Sequence, residues 1–156
     1  MNPQLLSTQQ LEALNSLVNM KRLRIVPSDF DKAERFLNQS GELLAEIHKV
    51  NGAKLRHGIA YDAAHDVGEA MMAAYGYATA NGSGQHQTIG EALTIILAGT
   101  DGEEEAEVFD QVREDRNQIR YRSSSIGKAQ AESAVQCAKT LLTLAQEILE
   151  SQSKYI

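Results

Sequence analysis

Apolar residues along this 156-residue chain recur at steps of three and four, the period of a helix face. Ser7 with Gln10 forms a Ser-x-x-Gln capping box, followed by Leu11, Leu14, Leu17 and Val18 on one face. This predicts a first helix from Ser7 that stops before Pro27, around Leu23 to Ile25. Ser28 or Asp29 caps a second helix whose stripe is Phe30, Ala33, Phe36, Leu37, Leu43, Leu44 and Ile47. Asn51-Gly52 supplies its stop. A third helix runs from about Ala53 to Tyr77 on Leu55, Ile59, Ala63, Val67, Ala70, Met71 and Ala74. The segment 81–84, Asn-Gly-Ser-Gly, reads as a turn. Thr88 to Leu97 is a short fourth helix. Glu103, Glu104 and Glu105 suit the N-terminus of a fifth, which reaches Asn117 or a few residues beyond. After Ser123, Ser124, Ser125 and Gly127, with the serines read as a cap, a closing helix carries Ala131, Ala134, Val135, Ala138, Leu141, Leu142, Ala145, Ile148 and Leu149.

Composition agrees with the pattern. The only prolines are Pro3 and Pro27, and 20 alanines favour helix over sheet. The expected fold is all-α: one domain over residues 1–156, an up-and-down bundle of four main helices plus short extra ones, with helix above roughly 60%. A single cysteine, Cys137, excludes an internal disulfide and a Cys₄ or Cys₂His₂ zinc module; it falls beside the apolar stripe of the last helix and reads as core. No apolar run approaches the ~20 residues of a membrane span. The start of the chain lacks the charged flank and apolar stretch of a signal peptide, so a cytoplasmic protein with no membrane contact is expected. The net charge of −6 excludes a bulk nucleic-acid coater and confines any phosphate contact to a local basic patch.

Such a patch exists. Arg113, Arg116, Arg120 and Arg122 fall within ten residues, and the first three are spaced to share a helix face. Guanidinium groups bind phosphate bidentately and keep their charge at neutral pH. The cluster is suited to a phosphodiester, a nucleotide phosphate or an acidic partner. Glu114 and Asp115 stand among the arginines, so a solvated face laced by ion pairs is the competing reading. A second polar group, Tyr61, Asp62, His65, Asp66 and Glu69, lies on the third helix. It looks like one limb of a carboxylate-x-x-His metal site, but no second limb follows, so neither metal nor cofactor is expected. Asp62 and His65 are read instead as polar support. His48, His57 and His86 stand alone in the sequence. No nucleophile elbow, phosphate loop or dinucleotide fingerprint occurs.

The order of these pieces resembles the HEPN family (higher eukaryotes and prokaryotes nucleotide-binding), particularly its small single-domain prokaryotic members. The resemblance covers about residues 55–150. It rests on Ile59 to His65 opening a small-residue-rich helix that ends at Ala74-Tyr75-Gly76, on Gly84-Gln85-His86 with Thr88, and on the run from Asp115 through Arg116 and Asn117 to Tyr121 before a long closing helix. The family's signature is Arg, a polar residue, a few more residues, then His. Arg116 and Asn117 match the first two, and Tyr121 occupies the position of the His. The resemblance implies a helical, commonly dimeric toxin or defence protein acting on RNA as a metal-independent ribonuclease. In that scheme Arg116 stabilises charge on the phosphoryl oxygens, Tyr121 donates a proton or positions the phosphate, and Asn117 orients it. Arg113, Arg120 and Arg122 would bind RNA. The implied partners are RNA or nucleotide, a second copy, and an antitoxin or small nucleotidyltransferase. Tyr in place of His equally suits a non-catalytic module that binds nucleotide, RNA or such a partner, because a phenol with pKa near 10 is a poor base at neutral pH.

Overall fold

A computed structural model describes residues 5–80, 84–122 and 125–153, without the side chains of Arg122, Gln152 and Ser153. The element order is α1 (Thr8–Asn19), β1 (Leu23–Ile25), α2 (Phe30–Ala45), a 3-10 turn (Ile47–Lys49), α3 (Ala53–Tyr75), β2 (Tyr77–Thr79), α4 (Gln85–Leu97), α5 (Glu103–Arg122) and α6 (Lys128–Ser153). Helix makes up 78% of the chain so described, above the level expected from proline scarcity. Four helices are long, α2, α3, α5 and α6, and two are short, which is the all-α bundle the periodicity predicts.

The bundle is organised around α3, which packs on α2, α6, α4 and α5. Its alanines explain this centrality. Ala60, Ala63, Ala64, Ala70, Ala73 and Ala74 are all buried, and side chains this small let neighbouring helices approach on several sides at once. Against α2, the wholly buried Ser40 donates its hydroxyl to the Ala63 carbonyl at 2.8 Å, so its burial leaves no unpaired group. Against α4, Gly68 faces Ile89: a Cβ at position 68 would stand 2.5 Å from the Ile89 Cγ2. Leu55, by contrast, is 61% exposed at the start of α3 and does not belong to the apolar stripe in which its spacing placed it.

Several side chains pin α4. Gln10 accepts from the Ser7 backbone within the expected capping box and, from its other end, donates to the carbonyls of Ile95 and Ile96 at the end of α4. Arg22 donates to Thr88 and pairs with Glu91 at 2.8 Å. One residue of the capping box thus also fixes a helix 85 positions away.

Three helix ends differ from expectation. The first helix stops at Asn19, not at Leu23 to Ile25. Lys21 takes a left-handed φ of 61°, and Leu23–Ile25 pair antiparallel with Tyr77–Thr79, Leu23 opposite Thr79. The third helix stops at Tyr75 because Gly76 adopts φ 86°. A Cβ there would meet the Val26 carbonyl at 2.8 Å, so this position both ends α3 and admits the strand beside it. The second helix also ends early, at Ala45, and the 3-10 turn covers the remaining distance. Residues 81–83 of the expected turn and Ser123 and Ser124 of the expected cap lie outside the described residues; Gly84 has φ 84°. Cys137 is buried in the core as expected, its thiol donating to the Glu105 carbonyl. Burial and the nearby Glu105 carboxylate push that thiol up to about 12, which keeps it protonated and unreactive. No helix among the described residues is long and apolar enough to cross a membrane.

Gly68→Ala tests the α3–α4 contact. The added methyl meets a branched, fully buried side chain that cannot swing aside, and overpacking outweighs the gain in helix propensity. The expected net loss is about 1–2 kcal/mol in urea unfolding. An unchanged or raised midpoint would contradict the close packing.

Candidate anion site on the Tyr61 platform

Three helices converge at Tyr61. On α3, His57, Tyr61 and His65 follow each other at four-residue steps and so share one face. Tyr61 is fully buried. Its ring stacks on that of Phe109 from α5 at 5.7 Å, and its hydroxyl lies 2.6 Å from Nδ1 of His86 in the first turn of α4. His65 completes the group: its ring centroid is 4.6 Å from that of His86 and 6.0 Å from that of Tyr61. Over the Tyr61 ring lies the Arg116 guanidinium, its Cζ 4.7 Å from the centroid. A cation so placed on an aromatic face gains up to ~2 kcal/mol when partly desolvated.

The arginines differ in what they do. Arg113, with 11% of its side chain exposed, is held by Asp110 at 3.0 Å and by Glu114 at 2.9 Å, so ion-pair lacing accounts for it. Arg116 has no carboxylate within ion-pair distance among the described residues and is half-buried on the tyrosine. Arg120 is exposed, its Cζ 6.0 Å from the Tyr121 ring centroid. Tyr121 itself is 77% exposed. Five residues separate it from Arg116, about 140° around a helix, and what Arg116 meets is the Tyr61 phenol instead. Asn117 is half-buried. The Arg122 side chain lies outside the described residues. Asp62 is exposed on α3, close enough to favour the charged form of His86.

Burial dominates the electrostatics of the group. It pushes the Tyr61 phenol up to about 12, against the pull of Arg116 and Arg113, so the hydroxyl keeps its proton. It brings His65 down to about 4, aided by repulsion from His86 and Arg116. His86 is lowered by partial burial and by Arg116. Both imidazoles are therefore neutral at pH 7, next to an unpaired guanidinium. This combination is chemically suited to an anion, through hydrogen-bond donors and a guanidinium, and it keeps imidazole nitrogens available for a proton. Below the site, His57 is 1% exposed and neither ring nitrogen has a hydrogen-bond partner among the described residues; burial lowers its proton affinity too. Farther along α3, burial together with Asp62 and Glu69 raises the Asp66 carboxyl to about 6.

Of the expected site residues, the structure brings Arg116 and His65 together and adds Tyr61 and His86, which carried no assigned role. The signal for Tyr61 was present in the four-residue spacing of His57, Tyr61 and His65. His86 entered only as one piece of the family resemblance, with no role attached, since its approach to Tyr61 depends on how α4 docks. Elsewhere, a groove of about 410 Å³ between α2 and α6 is lined by Phe30, Glu34, Leu37, Leu149 and Glu150 among others, with no cation in its lining to attract phosphate. Comparison with protein-family models, curated proteins and solved structures gives no match.

The lowered imidazole of His65 has a consequence for stability. An unfolded chain takes up a proton near pH 6.5, whereas the folded one resists it to about pH 4. Acid therefore favours unfolding, and this contribution is lost as pH falls from 6.5 towards 4. His65→Gln removes the effect. Between pH 7.5 and 4.5 the variant is expected to gain about 2 kcal/mol relative to the parent in urea unfolding. A constant difference across that range would show that the imidazole is not buried as described.

Proposed function

We propose that this protein is a HEPN-like toxin or defence protein that cleaves RNA without a metal ion, with Arg116 at the scissile phosphate. One observation carries the reading: Arg116 lacks a carboxylate partner among the described residues and lies on the same buried tyrosine that contacts His86 through its hydroxyl, with His65 beside them. Cleavage by an adjacent ribose needs little more. The 2′-oxygen bonds to phosphorus while its proton passes to an imidazole. The bond from phosphorus to the 5′-oxygen breaks, and the leaving oxygen takes up the proton the imidazole received. The products are a 2′,3′-cyclic phosphate and a 5′-hydroxyl. Arg116 counters the charge that builds on the phosphoryl oxygens, a contribution of several kcal/mol in a partly dry site.

Binding raises the basicity that the free site lacks. A phosphodiester neutralises the repulsion from Arg116, so His65 and His86 hold a proton more readily in the complex than in the free protein. The imidazoles thereby replace the Tyr121 phenol as the proton-moving groups, and Tyr121 with Arg120 serves as an exposed stacking and charge contact for the strand. The family resemblance adds a homodimer and an antitoxin or nucleotidyltransferase partner to the proposal. The low basicity of His65 favours one second reading, a module of the same fold that binds RNA or nucleotide at Arg116 without cutting it.

Incubation of the purified protein with RNA in chelator separates these readings. The ribonuclease reading predicts fragments with cyclic-phosphate ends, lost by a factor of about 10² or more in Arg116→Ala. Salt-dependent binding that depends on Arg116, with intact RNA, would establish the binding module instead. Equal cleavage by Arg116→Ala, or neither binding nor cleavage, would contradict both.

A further inference from the structure

The contact between Tyr61 and His86 joins two helices at the one place where a ring nitrogen, a buried phenol and a cation are all referenced to one rigid group. We propose that Tyr61 is a positioning residue: its phenol donates to Nδ1 of His86, fixes the imidazole proton on Nε2, and makes His86 a hydrogen-bond donor that shares a bound phosphoryl group with Arg116. The proposal rests on the phosphodiester reading of the site for the identity of the ligand, though not for the tautomer.

Three observations support it. The 2.6 Å separation is that of a short O–H hydrogen bond, and a fully buried phenol must spend its proton on a partner. The environment of Tyr61 keeps the phenol protonated, and Nδ1 of His86 is the acceptor that the geometry places within its reach. With Nδ1 so occupied, Nε2 is the remaining nitrogen, and it belongs to an exposed residue.

Rigidity is the second half of the argument. Tyr61 stacks on the buried Phe109 with an interplanar angle of 20°, and the His86 ring lies 22° from the Tyr61 plane. The α4 helix is itself tied down by Gln10 at one end and by Arg22 near the other. The Arg116 guanidinium and the His86 ring are thus both set by the same immobile tyrosine, one over its face and one at its hydroxyl. Two donors held this way meet two oxygens of one phosphoryl group with little reorganisation. A division of labour follows: His86 donates to a phosphoryl oxygen, and His65 is left to take the 2′-hydroxyl proton.

Nitrogen-15 NMR of the histidine side chains in the full-length protein at pH 7.5 tests the arrangement. His86 is expected in the Nε2–H tautomer, with Nδ1 hydrogen-bonded. Tyr61→Phe keeps the ring and is expected to abolish the Nδ1 hydrogen-bond signature and to weaken binding of inorganic phosphate about tenfold. His86→Gln retains a donor at the equivalent reach and is expected to bind phosphate within a few-fold of the parent, whereas His86→Ala loses about tenfold. An Nδ1–H tautomer in the parent, an unaltered His86 signal in folded Tyr61→Phe, or equal loss in His86→Gln and His86→Ala would overturn the proposal. Failure of the RNA reading looks different: phosphate binding and the tautomer persist as described while RNA is neither bound nor cut.

Discussion

The rest of the site depends on a tyrosine buried inside a bundle of mostly small side chains. Tyr61 sits in a helix whose neighbours along the inner face are alanines, and it fills space that those alanines leave open between α3, α4 and α5. Because it is large, aromatic and polar at one end, it does what none of the surrounding residues can. Its ring carries a guanidinium and stacks on Phe109, and its hydroxyl reaches across to the next helix. A leucine at the same position would pack the core and leave α4 without a polar contact to α3 at that point.

Packing and electrostatics are coupled through that residue. The Gly68–Ile89 contact sets how closely α4 approaches α3, and this approach sets the distance between Tyr61 and His86. Burial then keeps the phenol protonated and the imidazoles neutral, while the Arg116 guanidinium lies over the ring. The outcome is a guanidinium over an aromatic ring with no carboxylate within ion-pair distance among the described residues. Arg113, three positions before Arg116 on the same helix, shows the contrast: the same side chain with Asp110 and Glu114 in reach becomes an internal ion pair. Availability to a ligand is decided by the partners of each arginine, and the density of arginines in the segment says little about it.

The helical fold was legible because periodicity and proline scarcity are local properties. The capping box at Ser7 and Gln10, the acidic start of α5 and the long stripe of α6 all correspond to observed elements. The ribbon of Leu23–Ile25 and Tyr77–Thr79 was not legible, because each strand is only three residues long and is stabilised by a partner over fifty positions away. The site was legible in part. Arg116 stood out by composition, and His65 by its place on α3. Tyr121 drew attention because it follows Arg116 closely in sequence, yet helical geometry turns it away. His86 figured only as part of a short run in the family resemblance, because a histidine near the start of α4 acquires a partner only once α4 is docked. Local pattern identifies which residues are on a helix; the meeting of three helices at one ring is a tertiary fact.

The central claim is that Arg116, His65 and His86 form one anion site on Tyr61. Its most direct test is a side-chain NMR titration with an RNA dinucleotide that is 2′-deoxy at the scissile ribose and so cannot be cut. The account predicts that saturation shifts the Arg116 Nε–H and both imidazole signals together, and that the apparent pKa values of His65 and His86 rise in the complex. Shifts confined to other residues, or imidazole titrations that ignore the ligand, would contradict it.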